Sequence, residues 1–177
     1  MKTGFTLIEL LVVVLIIGIL SSVALPKYQV AVAKSRLAAL MPTVKTMKDS
    51  METYYLANGS YPGDSMEMLD IELPGCTAIG AGICKKDNQV YDVLSHGNSS
   101  AWQDVAGYTI HDTSLVNSYH LFLDHSDKPG QKYCGAATDN NIANAVCKSL
   151  GGILVKTEKC TVSWHLNAPT CKLYLLP

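Results

Sequence analysis

The chain is 177 residues long and nearly neutral, with 14 lysines and arginines against 15 acidic residues, and 48% of it is hydrophobic. That balance gives no broadly basic face, so no nucleic-acid site is evident. Behind the first 26 residues about 150 remain, enough for one domain with a real core and too few for two comfortable ones. The charge is segregated all the same. Residues 49–127 carry 12 acidic and 2 basic side chains, whereas residues 128–177 carry six lysines against Asp139 and Glu158. Such blocks are either solvated surface or complementary contact between copies.

The first element is an apolar run. From Phe5 to Leu25 the polar side chains are Thr6, Glu9, Ser21 and Ser22. A helix over this stretch reaches about 31 Å, the thickness of a bilayer core. A secretory signal would have a longer charged start and a small-residue cleavage site behind the run, but here the small residue, Gly4, stands in front of it. Cutting after Gly4 would leave the apolar helix on the mature chain. Glu9 is the one carboxylate inside the run. An ionisable group in a membrane helix costs about 2.5–3.5 kcal/mol, which marks it as a functional-site candidate.

These residues carry a family resemblance. The string Gly4-Phe5-Thr6-Leu7-Ile8-Glu9, the apolar run and Pro26 resemble the N-terminus of type IV pilins and of the related pseudopilins of type II secretion. The resemblance covers roughly residues 1–60. It implies that a prepilin peptidase cuts between Gly4 and Phe5 and methylates the Phe5 amine. It also implies that Glu9 acts in assembly by offsetting the Phe5 amine of a neighbouring copy inside an apolar filament core. Pairing with Phe5 of its own chain, four residues earlier on the same helical face, is the alternative. Thr6→Ala is expected to assemble. The implied partners are the peptidase, an inner-membrane assembly machinery, membrane lipid before assembly and further copies of the chain afterwards. No cofactor and no metal is implied.

The helical signal continues past Pro26. Val30, Ala33, Leu37, Leu40, Val44, Met47, Met51 and Tyr54 recur at alternating spacings of three and four, which keeps them on one face. One helix is therefore predicted from Phe5 to Leu56, its first half in lipid and its second packed on a domain. Pro26 and Pro42 lack the amide donor and should bend or loosen it without ending it. Asn58-Gly59-Ser60-Tyr61-Pro62-Gly63 supplies the stop. The expected organisation is a leader at 1–4, a transmembrane or filament-core helix at 5–26, its amphipathic continuation at 27–57 and a globular domain at 58–177.

Residues 71–118 are weakly patterned and read as loop with short strands. Tyr119–Asp124 alternates Tyr119, Leu121 and Leu123 with His120, Phe122 and Asp124, the period of a half-buried strand. A helix is predicted over 139–150, capped by Thr138 or Asp139 and stopped at Gly151-Gly152. Thr161–Trp164 and Lys172–Leu176 read as two further strands. All six cysteines lie in this domain, at 76, 84, 134, 147, 160 and 171. An even set fits an oxidising compartment such as the periplasm. Flanking cations do not orient the helix, because Lys2 stands alone before it and Lys27, Lys34 and Arg36 follow. The cysteines allow 15 pairings. Local ones are the simplest in a small domain: Cys76 with Cys84, Cys134 with Cys147, Cys160 with Cys171. Without a Cys-x-x-Cys their spacing is poor for zinc, and the five scattered histidines read as surface or satisfied core residues.

There is no phosphate-cradling glycine loop, no serine in a nucleophile turn and no histidine pair at metal-ligand spacing, so no catalytic residue is assigned. The fold expected is α+β, a long N-terminal helix packed on a small antiparallel sheet. The expected function is that of a structural subunit of a type IV pilus. A secretion pseudopilin, a minor pilin and, remotely, a membrane-tethered enzyme are the alternatives. Against the calcium-binding pseudopilins, residues 148–177 hold a single carboxylate, Glu158.

Overall fold

The computed structural model describes residues 5–63, 65–93, 103–111, 114–160 and 170–177. Helix α1, Leu7–Asn58, takes up the N-terminal third of the chain and contains both Pro26 and Pro42. Gly59 ends it in the left-handed conformation at φ 72°, donating its amide to the Tyr55 carbonyl. A residue with a Cβ would pay a steric penalty in that conformation.

The sheet follows from the chain order of its strands: β1 Thr77–Gly80, β2 Ile83–Lys86, β3 Gln89–Asp92, β4 Asp104–His111, β5 Ser114–Phe122 and β6 Lys132–Ala137, then helix α2 Asn141–Ser149, then β7 Ile153–Lys159 and β8 Thr170–Leu175. Every pairing is antiparallel. The spatial order is β1-β2-β3-β4-β5-β6-β8-β7, so among the described residues β1 and β7 are the outer strands of an eight-stranded sheet. This is a pilin-like α+β fold, a long apolar helix on an antiparallel sheet with disulfides.

The helix docks by the face its spacing defines. Leu37, Leu40, Val44, Met47 and Met51 are completely buried, with Val30, Ala33 and Tyr54 packed at the margins of the same core. They meet Val105, Tyr119, Leu121 and Leu123 from the centre of the sheet. The approach is close at Gly107 of β4, where an added Cβ would stand 2.7 Å from Val44 Cγ2 and 2.8 Å from Leu40 Cδ1.

Several details differ from the sequence reading. Strand β5 is buried on both faces, because Phe122 packs with Tyr133 and Leu173 on the side away from α1. The cap of α2 is Asn140, whose side chain accepts from the Ala143 amide, rather than Thr138 or Asp139. Asn combines the short acceptor a cap needs with tolerance of the extended backbone there. β8 lies between β6 and Ile153–Lys159, and the latter, its outer partner, is a strand not recognised in the sequence; the strand expected at Thr161–Trp164 lies outside the described residues. The expected 71–118 loop holds three short strands, all of the eight-residue strand β4 and the start of β5.

Three disulfides tie the periphery to the sheet. Cys76–Cys84 anchors the segment before β1 to β2, Cys134–Cys147 joins β6 to α2, and Cys160–Cys171 joins the end of β7 to β8. Two buried asparagines complete the α2 seat. Asn117 Nδ2 donates to the carbonyls of Gly135 at 3.1 Å and Ala143 at 3.0 Å. Asn144 donates to the Asn140 carbonyl at 2.7 Å and accepts from the Tyr174 hydroxyl at 2.9 Å.

Candidate functional site

The site is the half of α1 that the domain does not cover. Every side chain from Phe5 to Gln29 is exposed. Fifteen of them between Phe5 and Leu25 are large and apolar. Burying such a side chain from full exposure is worth about 1.5–3 kcal/mol, so even half that gain over this surface is about 11–22 kcal/mol. That equals or exceeds the roughly 5–15 kcal/mol by which a typical whole domain is stable. Water is therefore the wrong solvent for this surface, and the helix is long and apolar enough to cross a membrane.

At its start, Glu9 folds back on the helix terminus. The Thr6 amide donates to Glu9 Oε2 at 2.8 Å and the Thr6 hydroxyl donates to the same oxygen at 2.6 Å. In return the Glu9 amide donates to Thr6 Oγ1 at 3.4 Å, closing a capping box. Two of the unpaired amides of the first turn are satisfied by side chains, and the carboxylate sits at the positive end of the helix dipole. Phe5, Ile8, Glu9, Val12 and Val13 line one shallow concavity, in which Glu9 is the single charged group. The carboxylate is thus held on Thr6, the residue after Phe5, at the head of an exposed apolar surface. Thr6 was missed as its partner, although Thr6-Leu7-Ile8-Glu9 is the capping-box pattern. Gly4 lies outside the described residues.

Where the helix leaves the domain, Lys34 Nζ donates to the Ser149 carbonyl at 3.0 Å. Its charge is used to hold α1 against the end of α2, which lessens its weight as a marker of membrane orientation.

A second polar cluster has the order of an acyl-transfer triad. His120 Nδ1 lies 2.6 Å from Asp104 Oδ2, and His120 Nε2 lies 2.9 Å from Ser118 Oγ. The surroundings do not suit catalysis. Ser118 is 2% exposed, and its hydroxyl lies against Gly135, where an added Cβ would come within 2.1 Å of it. A substrate carbonyl has no approach to such an oxygen. The cluster satisfies three polar groups between β4 and β5. Among the described residues no group of three or more His, Cys, Asp or Glu side chains is placed to hold a metal ion.

An uncovered apolar helix with a capped carboxylate, carried on a disulfide-bonded sheet, defines a pilin-like protein. Comparison with known families agrees. Residues 1–25 match the prokaryotic N-terminal methylation motif. The chain is 40% identical over 65 residues to a fimbrial protein of Neisseria meningitidis serogroup B, 37% of this chain and 38% of that protein. It is likewise 40% identical over 65 residues to the type IV major pilin protein PilE of Neisseria gonorrhoeae, 37% of this chain and 39% of the other. The type IV major fimbrial protein FimA of Dichelobacter nodosus is 45% identical over 56 residues, 32% of this chain and 36% of that one. The matches thus span under two-fifths of the length of these curated relatives. No solved structure matches.

Proposed function

We propose that the protein is the structural subunit of a type IV pilus. The observation that carries this reading is the bare helix from Phe5 to Gln29 with Glu9 held at its head. Before assembly the helix sits in the inner membrane with the domain in the periplasm, where its three disulfides can form. A prepilin peptidase cuts between Gly4 and Phe5 and methylates the new amine. Assembly then moves the helix from lipid into a core made of the same helices, so that its apolar surface is never left in water. In that core the Glu9 carboxylate of one copy offsets the Phe5 ammonium of another, since neither charge is tolerable alone in an apolar medium. The relatives named as major pilins favour a surface fibre over a secretion pseudopilus.

The test is intact-mass measurement of the main protein in sheared surface filaments. The expected mass is that of residues 5–177 with one N-terminal methyl group and three disulfides. Retention of Met1, a cut behind Ser22, or absence of the chain from the filaments would overturn the reading.

A further inference from the structure

We propose that the groove beside the exit of α1 from the domain binds the phosphoethanolamine headgroup of a lipid while the precursor sits in the membrane. The inference rests on the membrane-held precursor of the reading above and needs no filament. The groove measures about 800 Å³, within the range of small-molecule sites. Its walls are residues 28–36 of α1, the Asp87-Asn88 turn between β2 and β3, the end of β4 and the start of α2. Its height on the helix suits a headgroup. The run from Phe5 to Leu25 matches the roughly 30 Å of a hydrocarbon core, and the headgroup layer adds about 5–8 Å on each side. At about 1.5 Å per residue Tyr28 stands about 4.5 Å beyond Leu25, and Arg36 about 16 Å beyond. Helix side chains lean towards the N-terminus, here towards the bilayer, and the long arginine stem carries its charge to an interface. Tyr28 is 66% exposed, and tyrosine is favoured at headgroup level.

The lining carries a fixed charge of each sign. Arg36 and Asp87 are both exposed, and among the described residues neither is paired with the other or with a third group. A head that holds a phosphate and a primary ammonium supplies a partner to each, the guanidinium donating to phosphate oxygens and the ammonium to the carboxylate. A quaternary ammonium has no N–H to donate there, and a head without any cation leaves the carboxylate facing phosphate. Two lining amides add donors. Gln89 accepts from the Tyr91 hydroxyl at 2.9 Å and Asn140 from the Ala143 amide at 3.0 Å, both through the side-chain oxygen, so each keeps its NH2 group for phosphate or ester oxygens. The flanking exposed charges are Lys27, Lys85, Lys86 and Asp139, with Lys86 engaged by the Pro74 carbonyl at 2.8 Å. Their positive excess attracts phosphate on any head, so discrimination between heads falls to Asp87.

The experiment places the full-length precursor in nanodiscs of equal parts phosphatidylethanolamine, phosphatidylcholine and phosphatidylglycerol and reads the lipids kept on the protein by native mass spectrometry. The wild-type chain should keep phosphatidylethanolamine about tenfold over phosphatidylcholine, the factor that about 1.4 kcal/mol provides. Asp87→Asn should bring that ratio near to one, and Arg36→Gln should lower retention of every phospholipid. Both side chains are exposed, so neither change disturbs the core. Hydrogen exchange of residues 86–90 in the wild-type chain should also be slower in nanodiscs with phosphatidylethanolamine than in nanodiscs of the other lipids alone. A wild-type ratio near one, a ratio that Asp87→Asn leaves unchanged, or equal exchange in both nanodiscs would overturn the proposal. Protection of residues 86–90 in lipid-free filaments but not in nanodiscs would give the groove to a neighbouring copy and overturn it as well. A chain that inserts and shows no preference defeats the groove alone; a chain that does not enter the bilayer defeats the membrane-held precursor and the groove with it.

Discussion

Thr6 and Glu9 show how much one turn of helix decides. The carboxylate is held by two donors from Thr6, both on Oε2, so the threonine has a stake in where the charge sits. Replacing a cap of this kind by alanine costs about 1 kcal/mol of helix stability. The sequence reading expects Thr6→Ala to assemble, and the capping box adds that it does so at reduced yield. Filament protein sheared per cell should be lower for Thr6→Ala than for wild type, and Thr6→Ser, which keeps the hydroxyl, should recover it. Equal yield from all three would remove Thr6 from the mechanism. Gly107 is a second decisive residue, since the helix passes over it at van der Waals distance or less for any side chain. Gly107→Val should cost about 1–3 kcal/mol through overpacking, read as a lower urea midpoint at unchanged slope.

Among the elements, α1 was the most legible in the sequence. Its buried stripe has the helical period, and the residues that end it are a glycine and its neighbours. The strands were less so. Asp104–Ile110 in β4 is buried on both faces, which erases the alternation that identifies a half-buried strand. Ile153–Lys159 escaped notice for the opposite reason, because its apolar residues are consecutive and exposed instead of alternating. The seat of α2 was invisible in principle. Nothing local distinguishes Asn117 from a surface asparagine, and its burial depends on carbonyls 18 and 26 residues away. The same seat is crossed by the Cys134–Cys147 bridge, whose Cα atoms stand 5.5 Å apart. Replacing both cysteines by serine should lower unfolding stability by about 2–4 kcal/mol on the loop-entropy account. Unchanged denaturant unfolding would show that the asparagines hold α2 unaided.

At the scale of the molecule, the domain should be alkali-labile. Burial raises Tyr108 well above the ordinary phenol range, with Asp92 and Asp104 adding to the effect. Burial is also the largest cause at Tyr61, Tyr91, Tyr119, Tyr133 and Tyr174, all raised. A group whose folded pKa is raised stabilises the fold fully below its unfolded value. Above about pH 10 the unfolded chain releases phenolic protons that the fold retains, and stability falls as the pH climbs through the folded values. The tyrosinate absorbance of these six should therefore rise late and together with loss of structure; titration of these six near pH 10 in an intact fold would contradict this. The filament should in turn be salt-sensitive, because the acidic and lysine-rich stretches are separated along the chain. In roughly 1 M salt the screening length falls to about 3 Å, and sheared filaments should dissociate or shorten. Filaments unchanged there would assign both stretches to solvated surface.

The central claim is that the apolar helix is a filament core in waiting and that Glu9 is the group which makes its transfer specific. Removing the carboxylate makes the segment more apolar and should leave insertion intact. The most direct measurement is filament yield from Glu9→Ala at precursor level and cleavage equal to wild type. The expected result is few or no filaments, with the processed chain accumulating in the inner membrane. Wild-type yield from Glu9→Ala would show that the carboxylate has no part in assembly and would contradict the account.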